Sequence, residues 1–292
     1  MMRYLIYALV PLVVLLLAAT LACIVGYFII QVSGDLSLQK VINKATQVFL
    51  VLSIFPAMTY LKVNKHDLGF AARPLFLKQL LQGFGLGLIT LLPVFIVLYT
   101  LGINVIDDTQ SWTLVWLAEK TGLALLLALL ISLIEEPLFR GILLVSLTRK
   151  LPVVAAIVIS AAYYAALHFI KTKTEIPAQA INLSSGFHLM GDAFANLLNP
   201  EIASAFFALL MVGIFLGLLR TRANTSLGLC VGCHTCWVWQ IKMSKTLFNT
   251  DYSTDYAYLV SAYDGVIGLL VTGWLMLVVL GYVCYQRKAC RL

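Results

Sequence analysis

Charged side chains are scarce in this chain. Asp, Glu, Lys and Arg make up 11% of its 292 residues, and hydrophobic residues make up 61%. A water-soluble domain carries about 25% charged and about 45–50% apolar residues, so the polar surface here is too small to cover a soluble globule. The mean hydropathy of +0.96 agrees with this. The composition therefore excludes an ordinary soluble domain and indicates that lipid is the main solvent.

The apolar runs also lack the alternation of apolar and polar residues that is typical of transmembrane β-strands, which leaves helices. A helix needs about 20 apolar residues to cross a bilayer. Eight runs are candidates: Tyr4–Ile30, Ala45–Leu61, Leu80–Leu101, Thr121–Leu147, Val153–Ile170, Ile202–Leu219, Ser226–Ile241 and Val266–Tyr285. The second and the seventh are short, so seven spans stay an alternative. We predict an all-α, polytopic transmembrane helix bundle that forms one membrane domain over residues 1–292.

The basic residues give the chain a formal net charge of +7. They cluster at the ends of apolar runs, where they anchor helices to lipid headgroups, so we expect no nucleic-acid partner. With the N-terminus inside, the inner loops hold about twice as many Lys and Arg residues as the outer loops, which predicts that both termini are cytoplasmic. Residues 171–201 then form an extracytoplasmic segment with a short amphipathic helix at the membrane interface. The predicted apolar face of this helix consists of Phe187, Met190, Phe194, Leu197 and Leu198. The compact chain favours a bacterial cytoplasmic membrane.

Cysteines are few as well, at six in total, and most lie in or beside apolar runs. Cys230, Cys233 and Cys236 have spacings that metal sites use. On a continuous helix these side chains spread over about 120° and cannot all close on one ion. We expect them to pack as small residues between helices.

Three charged residues interrupt the apolar run Thr121–Leu147, in the order Glu135-Glu136-x-x-x-Arg140. A charge at bilayer depth costs about 2.5–3.5 kcal/mol on insertion scales, and charges that stay there are usually functional. Glu136 and Arg140 are four residues apart and share one helix face, so we expect them to pair. Glu135 points about 100° away and is left without a partner on its own helix.

Two histidines on other spans lie at a similar depth. Glu135 lies 15 residues before Lys150 and His168 lies 16 residues after Pro152, so both are roughly 22–24 Å from the same turn. His234, in the seventh run, lies 12 residues after the inner residue Arg222, or roughly 18 Å deep. The sequence therefore predicts that Glu135, His168 and His234 meet inside the bundle.

These residues belong to three motifs that follow one another along the chain: Glu135-Glu136-x-x-x-Arg140, Tyr164-x-x-x-His168 and Gly228-x-x-x-x-x-His234. Together they resemble the motifs of the CPBP intramembrane proteases, a family that includes the CAAX prenyl endopeptidases and the bacterial Abi-type proteins. The resemblance covers roughly residues 121–241, which we treat as a protease-like core.

The resemblance implies roles for individual residues. Glu135 would be the catalytic acidic residue, with Glu136 paired to Arg140 in support, and His168 and His234 would be the motif histidines. Two positions depart from the family pattern. Tyr164 stands where a Phe is usual, and Val238 stands where the family has an Asn that is thought to help polarise the substrate carbonyl.

The predicted function is that of an intramembrane endopeptidase that cleaves a peptide or a membrane protein with an activated water. Glu135 acts as the general base, Glu135 and His168 hold the water, and His234 donates a hydrogen bond to the developing oxyanion. Whether a cofactor takes part stays open, since Glu135, His168 and His234 could also ligate zinc.

Two alternatives remain at this point. Glu, Arg and His inside a bundle also form the proton relays of transporters, although relay residues should line a path rather than converge at one level. A non-catalytic member of the family, such as a scaffold or an immunity protein, is the other alternative, and Val238 favours it.

Overall fold

The computed structural model describes residues 2–33, 36–110, 112–222 and 225–289. The helices among them are α1 (Met2–Ser33), α2 (Leu38–Leu52), α3 (Ile54–Leu61), α4 (Arg73–Thr100), α5 (Leu114–Glu136), a π-helical turn (Pro137–Leu143), α6 (Leu144–Thr148), α7 (Val153–Leu167), α8 (Ser185–Ala195), α9 (Ala203–Thr221), α10 (Leu227–Leu247) and α11 (Leu269–Ala289). Four 3-10 turns lie at Ala178–Ala180, Asn196–Leu198, Pro200–Ile202 and Ala257–Leu259. The strands β1 (Asn104–Ile106) and β2 (Phe248–Thr250) pair antiparallel, with Val105 opposite Asn249.

The all-α membrane bundle is confirmed. Within the described ranges, five helical stretches are long and apolar enough to cross a membrane: Tyr7–Ser33, Leu38–Leu61, Arg73–Thr100, Leu114–Thr148 and Pro200–Thr221. Two shorter apolar helices, Val153–Leu167 and Leu269–Cys284, correspond to the fifth and eighth predicted runs. The predicted run Ser226–Ile241 corresponds to the N-terminal cap and most of α10, a helix that is neither among the five long apolar stretches nor among the two shorter apolar helices. The number of spans stays a prediction.

The predicted second span is not one continuous α-helix. Its regular geometry is interrupted at Ser53, between α2 and α3. Pro56 lies in the first turn of α3, where it cannot donate a backbone hydrogen bond to the preceding turn and its ring crowds the carbonyl four residues earlier. The Ser53 hydroxyl donates to the Leu50 carbonyl at 2.6 Å, so this carbonyl oxygen keeps a hydrogen-bond partner next to the interruption.

The centre of the bundle is the seam between α4 and α10, where glycines let two backbones touch. A Cβ added at Gly232 would overlap the Leu80 carbonyl oxygen of α4, and one added at Gly83 would overlap the Leu229 carbonyl oxygen of α10. Small residues allow this close approach of membrane helices. Because α10 holds His234, this seam fixes the position of that histidine in the bundle.

We expect Gly232→Ala to destabilise the protein by more than the roughly 1–3 kcal/mol that is typical of overpacking, because the two backbones must separate. Thermal unfolding of the purified protein in detergent would measure this. Gly85→Ala is the matched control, since a Cβ there meets open space and alanine favours a helix. Equal melting temperatures for the two variants would contradict the close contact at this seam.

The loops predicted to be cytoplasmic meet at one end of the bundle. There Arg149 donates to the Leu61 carbonyl at 2.5 Å, Arg220 donates to the Asp67 carbonyl at 3.1 Å, and Leu227 donates its N–H to the Gly69 carbonyl at 2.7 Å.

The predicted outer loops meet at the other end, where the pair β1 and β2 lies and Gln39 bonds to the Thr172 carbonyl. Which end faces the cytoplasm stays a prediction, and residues 1 and 290–292 lie outside the described ranges.

The segment 171–201 contains the helix that the sequence predicts, but with a different packing face. In α8, Gly186 lies directly against Cys23 of α1, whose thiol donates to the Gly186 carbonyl at 3.2 Å, and Leu189 is buried beside them. Phe187 is 40% exposed and Leu198 is 86% exposed, although both belong to the predicted apolar face. Small residues let α8 approach α1 closely, and this contact decides the face that is buried.

The cysteines of α10 pack between helices. The Cys230 thiol donates to the Leu216 carbonyl of α9 at 3.5 Å. Cys236 lies on the side of α4, against Gly87, and accepts from Gln240 at 3.3 Å. These side chains therefore contact different neighbours.

Candidate active site

The acidic motif lies where the fourth span changes its helical geometry. After Glu136, the α-helix α5 becomes the π-helical turn Pro137–Leu143 before α6 resumes. The motif therefore lies inside one long helical stretch, Leu114–Thr148, whose geometry changes locally. Pro137 has no N–H to donate to the preceding turn of the helix, and single π-helical turns inside α-helices frequently occur at functional sites.

Glu136 and Arg140 form a buried ion pair, as their spacing predicts. Arg140 Nη1 lies 3.0 Å from Glu136 Oε1, and the two side chains are 1% and 0% exposed. The Arg140 guanidinium also lies over the ring of Tyr164 in α7, 4.4 Å from its centroid. The pair neutralises two charges that would otherwise be very costly in this interior.

His234 joins the ion pair from α10. Its Nδ1 lies 2.8 Å from Glu136 Oε1, and a carboxylate oxygen can only accept, so Nδ1 carries a proton and donates. Its Nε2 faces the other carboxylate, 3.8 Å from Glu135 Oε2. That separation is too long for a direct hydrogen bond, but an oxygen atom lying beside both groups can bond to both. The sequence did not reveal the bond between His234 and Glu136.

His168 is the C-terminal cap residue of α7, and its orientation is fixed by its own helix. Nδ1 lies 2.7 Å from the Tyr164 carbonyl oxygen, so Nδ1 donates and the neutral ring keeps a lone pair on Nε2. The Tyr164 ring lies 4.6 Å from the His168 ring and 6.2 Å from the His234 ring, measured between centroids. Tyr164 therefore holds both histidines and Arg140 in one cluster.

Glu135 and His168 line one cavity of about 830 Å³. Its other walls come from α1, α2, α8 and the loop that precedes α11, and they include apolar side chains such as Leu15, Val51 and Leu138. Pockets that bind small ligands measure about 300–1,000 Å³, so this one can hold a peptide segment. The Glu135 side chain is 27% exposed, whereas that of Glu136 is fully buried.

Several polar atoms of this cluster have no hydrogen-bond partner among the described residues. They are Glu135 Oε2, Glu136 Oε2 and Arg140 Nη2. Buried polar atoms are nearly always satisfied, and an exception calls for a water, an ion or a ligand. Glu135 Oε2 is also the carboxylate oxygen that faces His234 Nε2.

A zinc site would require at least three ligand side chains that point to one position. Within the described ranges, no group of three or more His, Cys, Asp or Glu residues is arranged so that it could hold a metal ion. Glu135, His168 and His234 therefore do not form a ready ligand set.

One residue near the site could not be found from sequence. Tyr263, in the loop between α10 and α11, lines the same cavity as Glu135 and His168. Its ring lies 5.2 Å from that of Phe169 and 4.5 Å from the Lys171 ammonium. Tyr263 lies outside the three motifs, and nothing in its local sequence signals a site.

Comparison with known proteins adds independent evidence. Residues 116–240 match the family model described as Rce1-like: Type II CAAX prenyl endopeptidase Rce1-like. No curated protein and no solved structure matches the chain. The matched segment includes Glu135, His168 and His234 together with the helices that hold them. It supports a CAAX-protease-like membrane endopeptidase in general, and it agrees with the resemblance to the CPBP (CAAX protease) family that the three motifs give.

Proposed function

We propose that the protein is an intramembrane endopeptidase that hydrolyses a peptide bond with a water activated by Glu135 and His168. The observation that supports this most strongly is the convergence of three helices on one point. Glu135 Oε2 lies 3.8 Å from His234 Nε2, and Glu135 shares its cavity with His168. Structural polar residues on separate spans have no reason to meet in this way, and ionisable residues inside membranes usually mark functional sites.

Glu135 acts as the general base. Its Oε2 has no partner among the described residues, so it is free to accept a proton from a water molecule. The water oxygen then bonds to the peptide carbonyl carbon, and the carbonyl π electrons move to its oxygen. When the C–N bond breaks, the proton held by Glu135 passes to the leaving amine, so the base ends the cycle ready for another turnover.

His168 orients the attacking water. Because Nδ1 is held by the Tyr164 carbonyl, Nε2 presents a lone pair that can accept one hydrogen of the water. The second hydrogen then points to Glu135. Neither ring needs to rotate during the reaction, and such preorganisation lowers the barrier.

His234 stabilises the oxyanion. Its Nδ1 donates to Glu136, and in this proposal its Nε2 also carries a proton, which it donates toward the reacting carbonyl beside Glu135. A donor aimed at developing negative charge in a site of low dielectric constant is worth roughly 10²–10³ in kcat. The pair Glu136–Arg140 is the rigid support that keeps His234 in this position.

The cavity indicates the kind of substrate. It runs from Glu135 and His168 along α2, past apolar residues such as Val48 and Leu52 and polar ones such as Asn43 and Gln47. Such a wall suits an extended peptide that carries an apolar group. In keeping with the family match, we propose a prenylated C-terminal peptide as the first substrate to test.

The test is a cleavage assay with purified protein in detergent micelles. The probe is an internally quenched peptide that ends in a farnesylated cysteine followed by three residues. The same peptide without the farnesyl group and a quenched peptide from an unrelated transmembrane segment serve as comparisons. We expect cleavage of at least the farnesylated probe, with products identified by mass spectrometry. Binding of all three peptides without cleavage would contradict the proposal and favour a non-catalytic family member.

A further inference from the structure

Tyr263 reaches the proteolytic cavity from a part of the chain that the family match does not cover. The match ends at residue 240, whereas Tyr263 lies in the loop between α10 and α11. The two residues that contact its ring, Phe169 and Lys171, lie one and three residues after His168 in the chain. The ring is therefore fixed next to the end of α7, where His168 lies.

Several hydrogen bonds within the loop around Tyr263 fix its backbone and therefore the position of the Tyr263 ring. The Tyr263 N–H donates to the Ser261 hydroxyl at 3.3 Å, and that hydroxyl donates to the Ile267 carbonyl. One Asp264 carboxylate oxygen accepts from the N–H groups of Val266 and Ile267, at 3.0 and 2.7 Å. This loop presents Tyr263 as a fixed wall of the cavity.

The chemistry of the phenol suits a hydrogen-bond donor to substrate. Burial, then the nearby Asp264 and Glu135 carboxylates, raise the pKa of Tyr263 to about 12. The hydroxyl therefore keeps its proton at neutral pH, and it can donate one hydrogen bond. The side chain of Val238, one turn after His234 on α10, has no polar atom that could donate a hydrogen bond. A second donor at this site must come from another element.

We propose that Tyr263 is a substrate-binding residue of this site, whose phenol donates a hydrogen bond to a peptide carbonyl of the substrate beside Glu135. The inference rests on the proposed peptidase function. It assigns part of the site to the segment after α10, outside the family motifs. It also makes the loop before α11 a determinant of how the peptide is held.

The experiment compares Tyr263→Phe with wild type on the farnesylated quenched peptide. This change keeps the ring, with its contacts to Phe169 and Lys171, and removes only the hydroxyl. We expect kcat/KM to fall about tenfold, which is the loss of one hydrogen bond, with the melting temperature unchanged. Tyr258→Phe is the matched control, because Tyr258 lies in the same loop and is 63% exposed, and it should cleave at the wild-type rate.

A binding measurement separates failure of this inference from failure of the proposed function. In a Glu135→Gln background, Tyr263→Phe should weaken binding of the same peptide about tenfold. If wild type cleaves and Tyr263→Phe matches it in both rate and binding, the inference about Tyr263 is wrong and the peptidase function stands. If wild type neither binds nor cleaves the peptide, both are overturned.

Discussion

Replacing Glu135 by glutamine is expected to lower kcat for peptide cleavage by about 10²–10⁴-fold, the usual contribution of a general base. Glutamine keeps the size of the side chain but cannot accept the proton of the attacking water. Glu135 makes no ion pair on its own helix and is partly exposed to the cavity, so the fold should tolerate the change. Binding of the quenched peptide should stay close to the wild-type value.

The measurement is the initial rate of cleavage, taken with the thermal unfolding of each variant. Glu119→Gln is the matched control, since Glu119 is an exposed residue on the same helix, α5. It should retain the wild-type rate. A Glu135→Gln variant that cleaves at the wild-type rate would show that another group activates the water.

Replacing Arg140 by methionine is expected to destabilise the protein by about 3–5 kcal/mol, because it leaves the buried Glu136 carboxylate without its partner. Arg140 is 1% exposed and Glu136 is fully buried, so water cannot solvate the remaining charge. The double variant Glu136→Gln with Arg140→Met removes both charges and should regain much of this stability. Its activity should stay low, since His234 loses the carboxylate that holds Nδ1.

Thermal or denaturant unfolding in detergent, combined with the cleavage rate, measures both effects in one set of variants. Arg149→Met is the control, because Arg149 is 38% exposed and lies 3.9 Å from Asp67. Exposed pairs of this kind contribute about 1 kcal/mol or less. Equal losses for Arg140→Met and Arg149→Met would contradict the buried-pair account.

Much of the fold follows from the sequence because apolar run length is a direct physical requirement of the bilayer. The same is true of the pair Glu136–Arg140, which needs only helical spacing. The convergence of Glu135, His168 and His234 was predicted from their depths, and the structure brings them together. Their catalytic roles stay proposals.

Other features depend on contacts that the sequence does not encode locally. The π-turn at Pro137–Leu143 depends on how the span repacks around a proline, and the packing face of α8 depends on a close contact with Cys23. The hydrogen bond between His234 and Glu136 depends on the position of α10 along the axis of α5. That position is set by the close packing of α10 against α4. Tyr263 reaches the site from a loop with no periodic pattern, so only the three-dimensional arrangement reveals it.

The most direct test of the account is a cryo-electron microscopy structure of the Glu135→Gln variant with the farnesylated peptide bound and uncleaved. The account predicts that the scissile carbonyl faces the side chain at position 135 with room for one water between them, and that this water lies roughly 3–3.5 Å from the carbonyl carbon. The carbonyl oxygen should point toward His234, and His168 should lie on the side of the water. A peptide bound elsewhere on the protein, or packed hydrocarbon between position 135 and the two histidines, would contradict it.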